Sequence, residues 1–248
     1  MTTLVETLHE PPLRIRYMPG RSERLVVSFA GVGSIPHEEP PAEFFRLAST
    51  NGENHVLFIS DQSRSWMNAP GIADLTAQTV RQTAAAIGAA RVVAIGNSMG
   101  GSAALILAAL MPLDGVLAIV PQYSVHPRIM PDEPRWERFR EQITDWPFAT
   151  VPEPAGLNCP LTVLHGATAG ELIHADRFGQ APNMMHFIFP GLGHGLARKL
   201  RGAGYLEPIV TNAILGRPRR VRLSVRTAGG MNRHRFDRTR NTHSSRRH

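Results

Sequence analysis

Residues 91–95 form an apolar, β-branched run that leads into Gly96-Asn97-Ser98-Met99-Gly100, and residues 102–111 continue as a stretch rich in alanine and leucine, closed by Pro112. This succession predicts a strand, a sharp turn and a buried helix, the setting in which a serine hydroxyl can be presented as a nucleophile. The backbone at such a serine is strained, and a side chain two residues to either side would collide with the neighbouring strand or helix, so both positions call for glycine. A helix beginning just behind Ser98 also favours negative charge as it develops there. The competing reading of the same motif is a structural serine in a tight turn.

A serine hydroxyl is a weak nucleophile and needs a base that a third group orients. For a serine carried on a strand–turn–helix, the acid and then the histidine follow along the chain. His194, in Gly191-Leu192-Gly193-His194-Gly195, lies just past the last expected strand in a glycine-rich loop, and is the best candidate base. His165 ends an interior strand and reads as core, while His174 falls on an expected helix. The acid should follow the strand at 161–165, where Glu171 and Asp176 are the available carboxylates. Glu171 is favoured because it stands at the loop–helix junction, although a solvated first-turn acid is its bland reading. Asp176 remains the alternative. The backbone N–H of Met99, together with that of Val32 or Gly33 in the loop after residues 25–30, would form an oxyanion hole. Asp61 and Trp66 follow the strand at 55–60 and so belong to the same edge of the sheet, either lining a pocket or fixing their own loop.

Short apolar runs at 13–17, 25–30, 55–60, 91–95, 115–120, 161–165 and 186–189 alternate with helix-like segments, among them 75–87 and 102–111. The pattern predicts the α/β class, with a mainly parallel central sheet flanked by helices. Residues 121–160 break the rhythm with Pro121, Pro127, Pro131, Pro134, Pro147 and Pro152 beside Trp136 and Trp146. They read as a loop-rich insertion before the acid-bearing strand, with one short helix near 135–143, either a surface excursion or a lid over a pocket.

The formal charge of the 248-residue chain is +7, but it is unevenly placed. Residues 217–248 carry eleven arginines against one acid, Asp237, so this segment holds +10 and the rest of the chain −3. Apolar periodicity fades there, so the expectation is a single domain over 1–216 followed by a basic, disordered tail over 217–248. Phe236 is its one aromatic, which argues against nucleic-acid binding through base stacking. Cys159 is the lone cysteine, so no disulfide forms within the chain. The N-terminal residues lack the features of a signal peptide, and no apolar stretch is long enough to span a membrane, which makes a cytoplasmic location the expectation. The sequence offers no metal-ligand cluster, having no His-x-x-x-His pair and no second cysteine.

Taken together, the Gly-Asn-Ser-Met-Gly-Gly turn, the Gly31-Val32-Gly33 loop and the Gly193-His194-Gly195 segment resemble the α/β-hydrolase superfamily over residues 25–214. Residues 58–66, Pro121-Gln122 and Glu171…His174-Ala175 are similar to a loosely characterised bacterial group within it, whose members carry Asp where this chain has Glu171. The resemblance adds Gln122 to Asp61 and Trp66 as a substrate-pocket candidate. It implies attack of Ser98 on the carbonyl of a small-molecule acyl substrate, without metal or cofactor, by an esterase, a thioesterase or an acyltransferase. A catalytically idle accessory protein with the same fold is the contrasting expectation.

Overall fold

The computed structural model describes residues 4–33, 35 and 38–244. Among these residues, nine strands form one sheet: β1 (Val5–Glu10), β2 (Leu13–Met18), β3 (Arg24–Phe29), β4 (His55–Asp61), β5 (Arg91–Asn97), β6 (Gly115–Ile119), β7 (Leu161–Gly166), β8 (Met184–Phe189) and β9 (Met231–Asn232). Their order is β1-β2-β4-β3-β5-β6-β7-β8-β9. The strands from β4 across to β8 run parallel, while β1, β2 and β9 are antiparallel additions at the two edges. All seven strands read from the sequence are present, their ends moved by at most two residues. The interior strands are legible because strands buried on both faces are apolar at nearly every position, and β2 because its apolar residues alternate with Arg14 and Arg16.

The alternation of side chains divides the core in two. Leu25, Val27, Phe29, Leu57, Ile59, Val92 and Ala94 face one side, where they meet helices α2 (Ile72–Ala86) and α3 (Met99–Leu110). Val26, Val56, Phe58, Val93 and Ile95 face the other side, covered by α1 (Phe45–Ser49), α6 (Leu196–Gly202), α7 (Leu206–Ile214) and α8 (Pro218–Thr227). Each fully buried Leu, Ile or Val contributes about 1.5–3 kcal/mol relative to exposure. The insertion at 121–160 contains α4 (Glu137–Arg140) and a single 3₁₀ turn at Pro154–Gly156, and α5 (Ala169–Ala175) follows β7. Among the described residues, no helix is long and apolar enough to cross a membrane.

The expectation of a disordered tail is corrected over residues 217–244; residues 245–248 lie outside the described residues. α8, β9 and α9 (Arg233–Ser244) are ordered, and they complete the same domain. Val221 and Val225 stand four residues apart on one face of α8 and are buried in the second core cluster. β9 pairs Met231 with Ile188 and Asn232 with Phe187, which covers the edge of β8. Arg233 is buried as well, donating from Nη1 to the Ala175 carbonyl, from Nη2 to Asp176 Oδ1 at 2.8 Å and from Nε to Asp237. The segment is short of apolar residues because its burial rests on two valines and an arginine whose charge is neutralised. Truncation after Gly216 should therefore remove about 3–6 kcal/mol of valine burial and uncover β8. A thermal midpoint equal to that of the full chain would show instead that these elements ride free.

Candidate active site

β5 runs straight into α3 through Ser98, whose φ of 57° and ψ of −126° are a strained combination for a residue with a side chain. Steric necessity explains the glycines around it. A Cβ on Gly96 would stand 2.0 Å from the Gly100 carbonyl oxygen, and one on Gly100 would stand 2.5 Å from that of Phe29. The turn is pinned by the Ser98 N–H donating to the Ile119 carbonyl at 2.8 Å, which ties it to the end of β6.

The structure brings Ser98, His194 and Glu171 into one line. Ser98 Oγ lies 2.9 Å from His194 Nε2, and His194 Nδ1 lies 3.0 Å from Glu171 Oε1. His194 is carried past the end of β8 by the glycine-rich loop, while Glu171 sits in the first turn of α5 and is 1% exposed. Burial pushes the Glu171 carboxyl up, but the hydrogen bonds and charges of His194 and Arg135 outweigh it and hold the group below the usual carboxylate range. Asp176, the alternative acid, is placed elsewhere: it pairs with Arg233 at 2.8 Å and Arg240 at 3.0 Å. This is a correction, and its cause is the ordered C-terminal segment that supplies both arginines.

Arg135 was not foreseen. From the insertion, its Nη1 donates to Glu171 Oε1 at 2.6 Å and its Nη2 to the Gly170 carbonyl at 2.7 Å, while its Nε donates to Glu133 Oε1 at 2.8 Å. Glu133, fully buried, also accepts from His174 Nε2 at 2.7 Å, and His174 Nδ1 accepts from the Tyr123 N–H at 3.3 Å. Burial would raise the Glu133 carboxyl, but its bonds to Arg135 and His174 prevail and bring it down to about 2. Two carboxylates, one guanidinium and the His174 imidazole thus join the insertion to α5, and through Glu171 the network continues to His194. No sequence pattern marks it, since Glu133-Pro134-Arg135 reads as ordinary surface chain.

The N–H groups of Met99, at the head of α3, and of Val32 and Gly33, after β3, have no acceptor among the described residues. The side chains of Val32 and Met99 belong to one buried cluster. Arg64, itself buried, donates to the Val32 carbonyl at 3.3 Å and to that of Gln62, which braces the loop. A cavity of about 1050 Å³ opens beside Ser98 and His194, with Val32, Gly33 and Trp136 in its wall. Trp136 stands 5.4 Å, ring centre to ring centre, from His194, so the insertion contributes directly to that wall. Also in the cavity wall, Glu43 accepts from the Gly31 N–H at 3.2 Å. Burial pushes its carboxyl up to about 7, against the opposing pull of that N–H, Asn97 and Arg201.

Asp61 and Trp66, read as lining a pocket or fixing their own loop, and Gln122, added as a pocket candidate, all lie outside the wall of this cavity. Asp61 fixes its own loop by accepting from the N–H of Ser63 at 2.9 Å and of Ser65 at 2.6 Å. Trp66 and Gln122 are buried behind Ser98, with the indole N–H on Gln122 Oε1 at 3.0 Å and Gln122 Nε2 on Ser98 Oγ at 3.0 Å. His165, read as core, is buried between His186 at 3.0 Å and the Pro121 carbonyl at 2.9 Å.

No family model matches the sequence, and no curated protein matches it. Solved structures do. A Pyrobaculum calidifontis esterase shares 14% identity over 86% of this chain and 84% of its own, with a TM-score of 0.56. The capsule O-acetyltransferase of Neisseria meningitidis serogroup A shares 13% over 84% and 94%, with a TM-score of 0.58. Brefeldin A esterase, a bacterial homologue of human hormone-sensitive lipase, shares 16% over 90% and 78%, with a TM-score of 0.56. The chain has the α/β-hydrolase fold.

Proposed function

We propose that the protein is a serine hydrolase that cleaves an ester or thioester of a small molecule through an acyl-enzyme on Ser98. The observation that carries this reading is the alignment of Ser98 Oγ, His194 and Glu171 at 2.9 and 3.0 Å beside an open cavity. A nucleophile within reach of a base, the base oriented by a buried carboxylate, is the arrangement acyl transfer requires. His194 Nε2 takes the Ser98 proton as Oγ attacks the carbonyl carbon. The N–H groups of Met99 and of Val32 or Gly33 stabilise the resulting oxyanion. His194 then protonates the leaving alcohol or thiol, and water repeats the sequence to free Ser98. The esterases that share the fold support an ester-cleaving enzyme.

A second reading differs only in the acceptor. The O-acetyltransferase with the same fold favours transfer of the acyl group to a hydroxyl in place of water. Labelling with a fluorophosphonate probe tests what the two readings share. Wild-type protein should be labelled, and Ser98→Ala and His194→Ala should not. An unlabelled wild type, or an equally labelled Ser98→Ala, would overturn the proposal.

A further inference from the structure

We infer that Gln122 is a further catalytic residue, one whose side-chain amide assists release of the acyl group from Ser98 more than its capture. The inference rests on the serine-hydrolase reading above and goes beyond it, because neither nucleophile, base nor oxyanion hole has any need of a second partner on Oγ.

The hydrogen-bond inventory settles how the amide is turned. An indole N–H can only donate, so the Gln122 atom it meets at 3.0 Å is the carbonyl oxygen. The amide nitrogen then faces Ser98 Oγ at 3.0 Å, and an amide N–H can only donate. Ser98 Oγ must accept that bond, which leaves its single proton for His194 Nε2 at 2.9 Å. The serine proton is thus aimed at the base before any substrate arrives. Gln122 is 1% exposed, and its backbone carbonyl accepts from Ser102 Oγ at 2.8 Å, so the residue is held at both ends.

The same bond acts unequally on the two halves of the reaction. In the free enzyme it already exists, and an interaction present in the ground state gives little acceleration. In the acyl-enzyme Oγ is an ester oxygen, a poorer acceptor, and the bond weakens. During release, water adds to the carbonyl carbon and gives a proton to His194. The C–Oγ bond then breaks, its electron pair returns to Oγ, and His194 supplies the proton that restores the hydroxyl. As charge gathers on Oγ the Gln122 bond strengthens, so its benefit falls on this step.

The test uses the full chain with p-nitrophenyl acetate, whose good leaving group makes release the slow step. Gln122→Met keeps the length of the side chain and removes the donor. Its kcat should fall roughly tenfold to hundredfold, with KM falling alongside so that kcat/KM changes much less. At a substrate concentration near the wild-type KM, acid quenching and mass spectrometry should find a larger fraction of acetylated Ser98. Trp66→Phe removes the N–H that fixes the amide, along with part of the ring volume, while leaving the Gln122 donor in place, and should move all three readouts the same way, less far, which keeps the test decisive if Gln122→Met fails to fold. Unchanged kinetics, or kcat and kcat/KM falling together without more acetyl-enzyme, would overturn the inference alone. A wild type that neither labels nor turns over would overturn the hydrolase reading and this inference with it.

Discussion

Glu171→Gln should lower kcat/KM by about 10³-fold, whereas Asp176→Asn should stay within about twofold of the wild type. The size follows from charge. A carboxylate and an imidazolium about 4 Å apart attract by about 4 kcal/mol at an effective dielectric of 20, and a factor of ten in rate corresponds to about 1.4 kcal/mol. Geometry isolates that effect. Arg135 Nη1 and His194 Nδ1 both meet the same oxygen, Glu171 Oε1, at 2.6 and 3.0 Å. In the glutamine variant Arg135, which only donates, turns the amide oxygen towards itself and so towards His194. The imidazole keeps its Nδ1–H and the base its tautomer, so what is lost is the negative charge. Arg135, no longer neutralised there, adds repulsion as the imidazolium forms. Asp176 is a matched control because its partners are Arg233 and Arg240. Steady-state kinetics on an activated ester reads both variants. A Glu171→Gln enzyme within tenfold of the wild type would remove Glu171 from the proposed mechanism.

The contrast between these two carboxylates marks the limit of what the sequence could convey. The sheet was legible because each interior strand is apolar on both faces, and the turn at Ser98 because steric exclusion at Gly96 and Gly100 leaves a local signature. The candidates Ser98, His194 and Glu171 followed from their order along the chain and their places after β5, β8 and β7. Charge pairing over long separations has no such signature. Asp176 and Arg233 are 57 residues apart and meet only because β9 docks on β8. Reading residues 217–244 as disordered and keeping Asp176 as an alternative acid were therefore one error seen at two places. Trp66 was assigned to the edge of the sheet that carries the serine, and both it and Gln122 were pocket candidates that the cavity wall leaves out. Their loops fix the edge, but backbone torsions such as the φ of 52° at Trp66 decide where the side chains go. Glu133 and Arg135 were missed for a related reason. Opposite charges two residues apart in a proline-rich segment look solvated, and only the packing of that segment over α5 buries Glu133 and half-buries Arg135.

That burial makes Arg135 the residue on which the insertion depends. Arg135→Met should destabilise the protein by about 3–5 kcal/mol, the usual consequence of removing one partner from a buried ion pair. For a chain of this size, that corresponds to about 6–20 °C in thermal midpoint. Glu133 and Glu171 are 0% and 1% exposed, and each would keep a buried charge met only by N–H donors, from His174 and the backbone of residue 135 for Glu133 and from His194 for Glu171. The sign of the pH dependence follows from the same pairing. Glu133 is held down to about 2 and Glu171 below its ordinary value, so both are depressed in the folded state. A depressed carboxyl contributes stability that is fully present above its unfolded value and is lost as pH falls through the folded one. The deficit of Arg135→Met should therefore be largest at neutral pH and narrow between about pH 4.5 and 2, as protonation removes the charges that Arg135 had offset. Arg135→Lys should recover only part of the loss, because an ammonium cannot span Glu133, Glu171 and the Gly170 carbonyl as the planar fork does. Thermal unfolding of the three proteins between pH 3 and 8 measures this. Parallel curves, with a deficit independent of pH, would mean that Arg135 stabilises the insertion by packing and not by holding the two carboxylates.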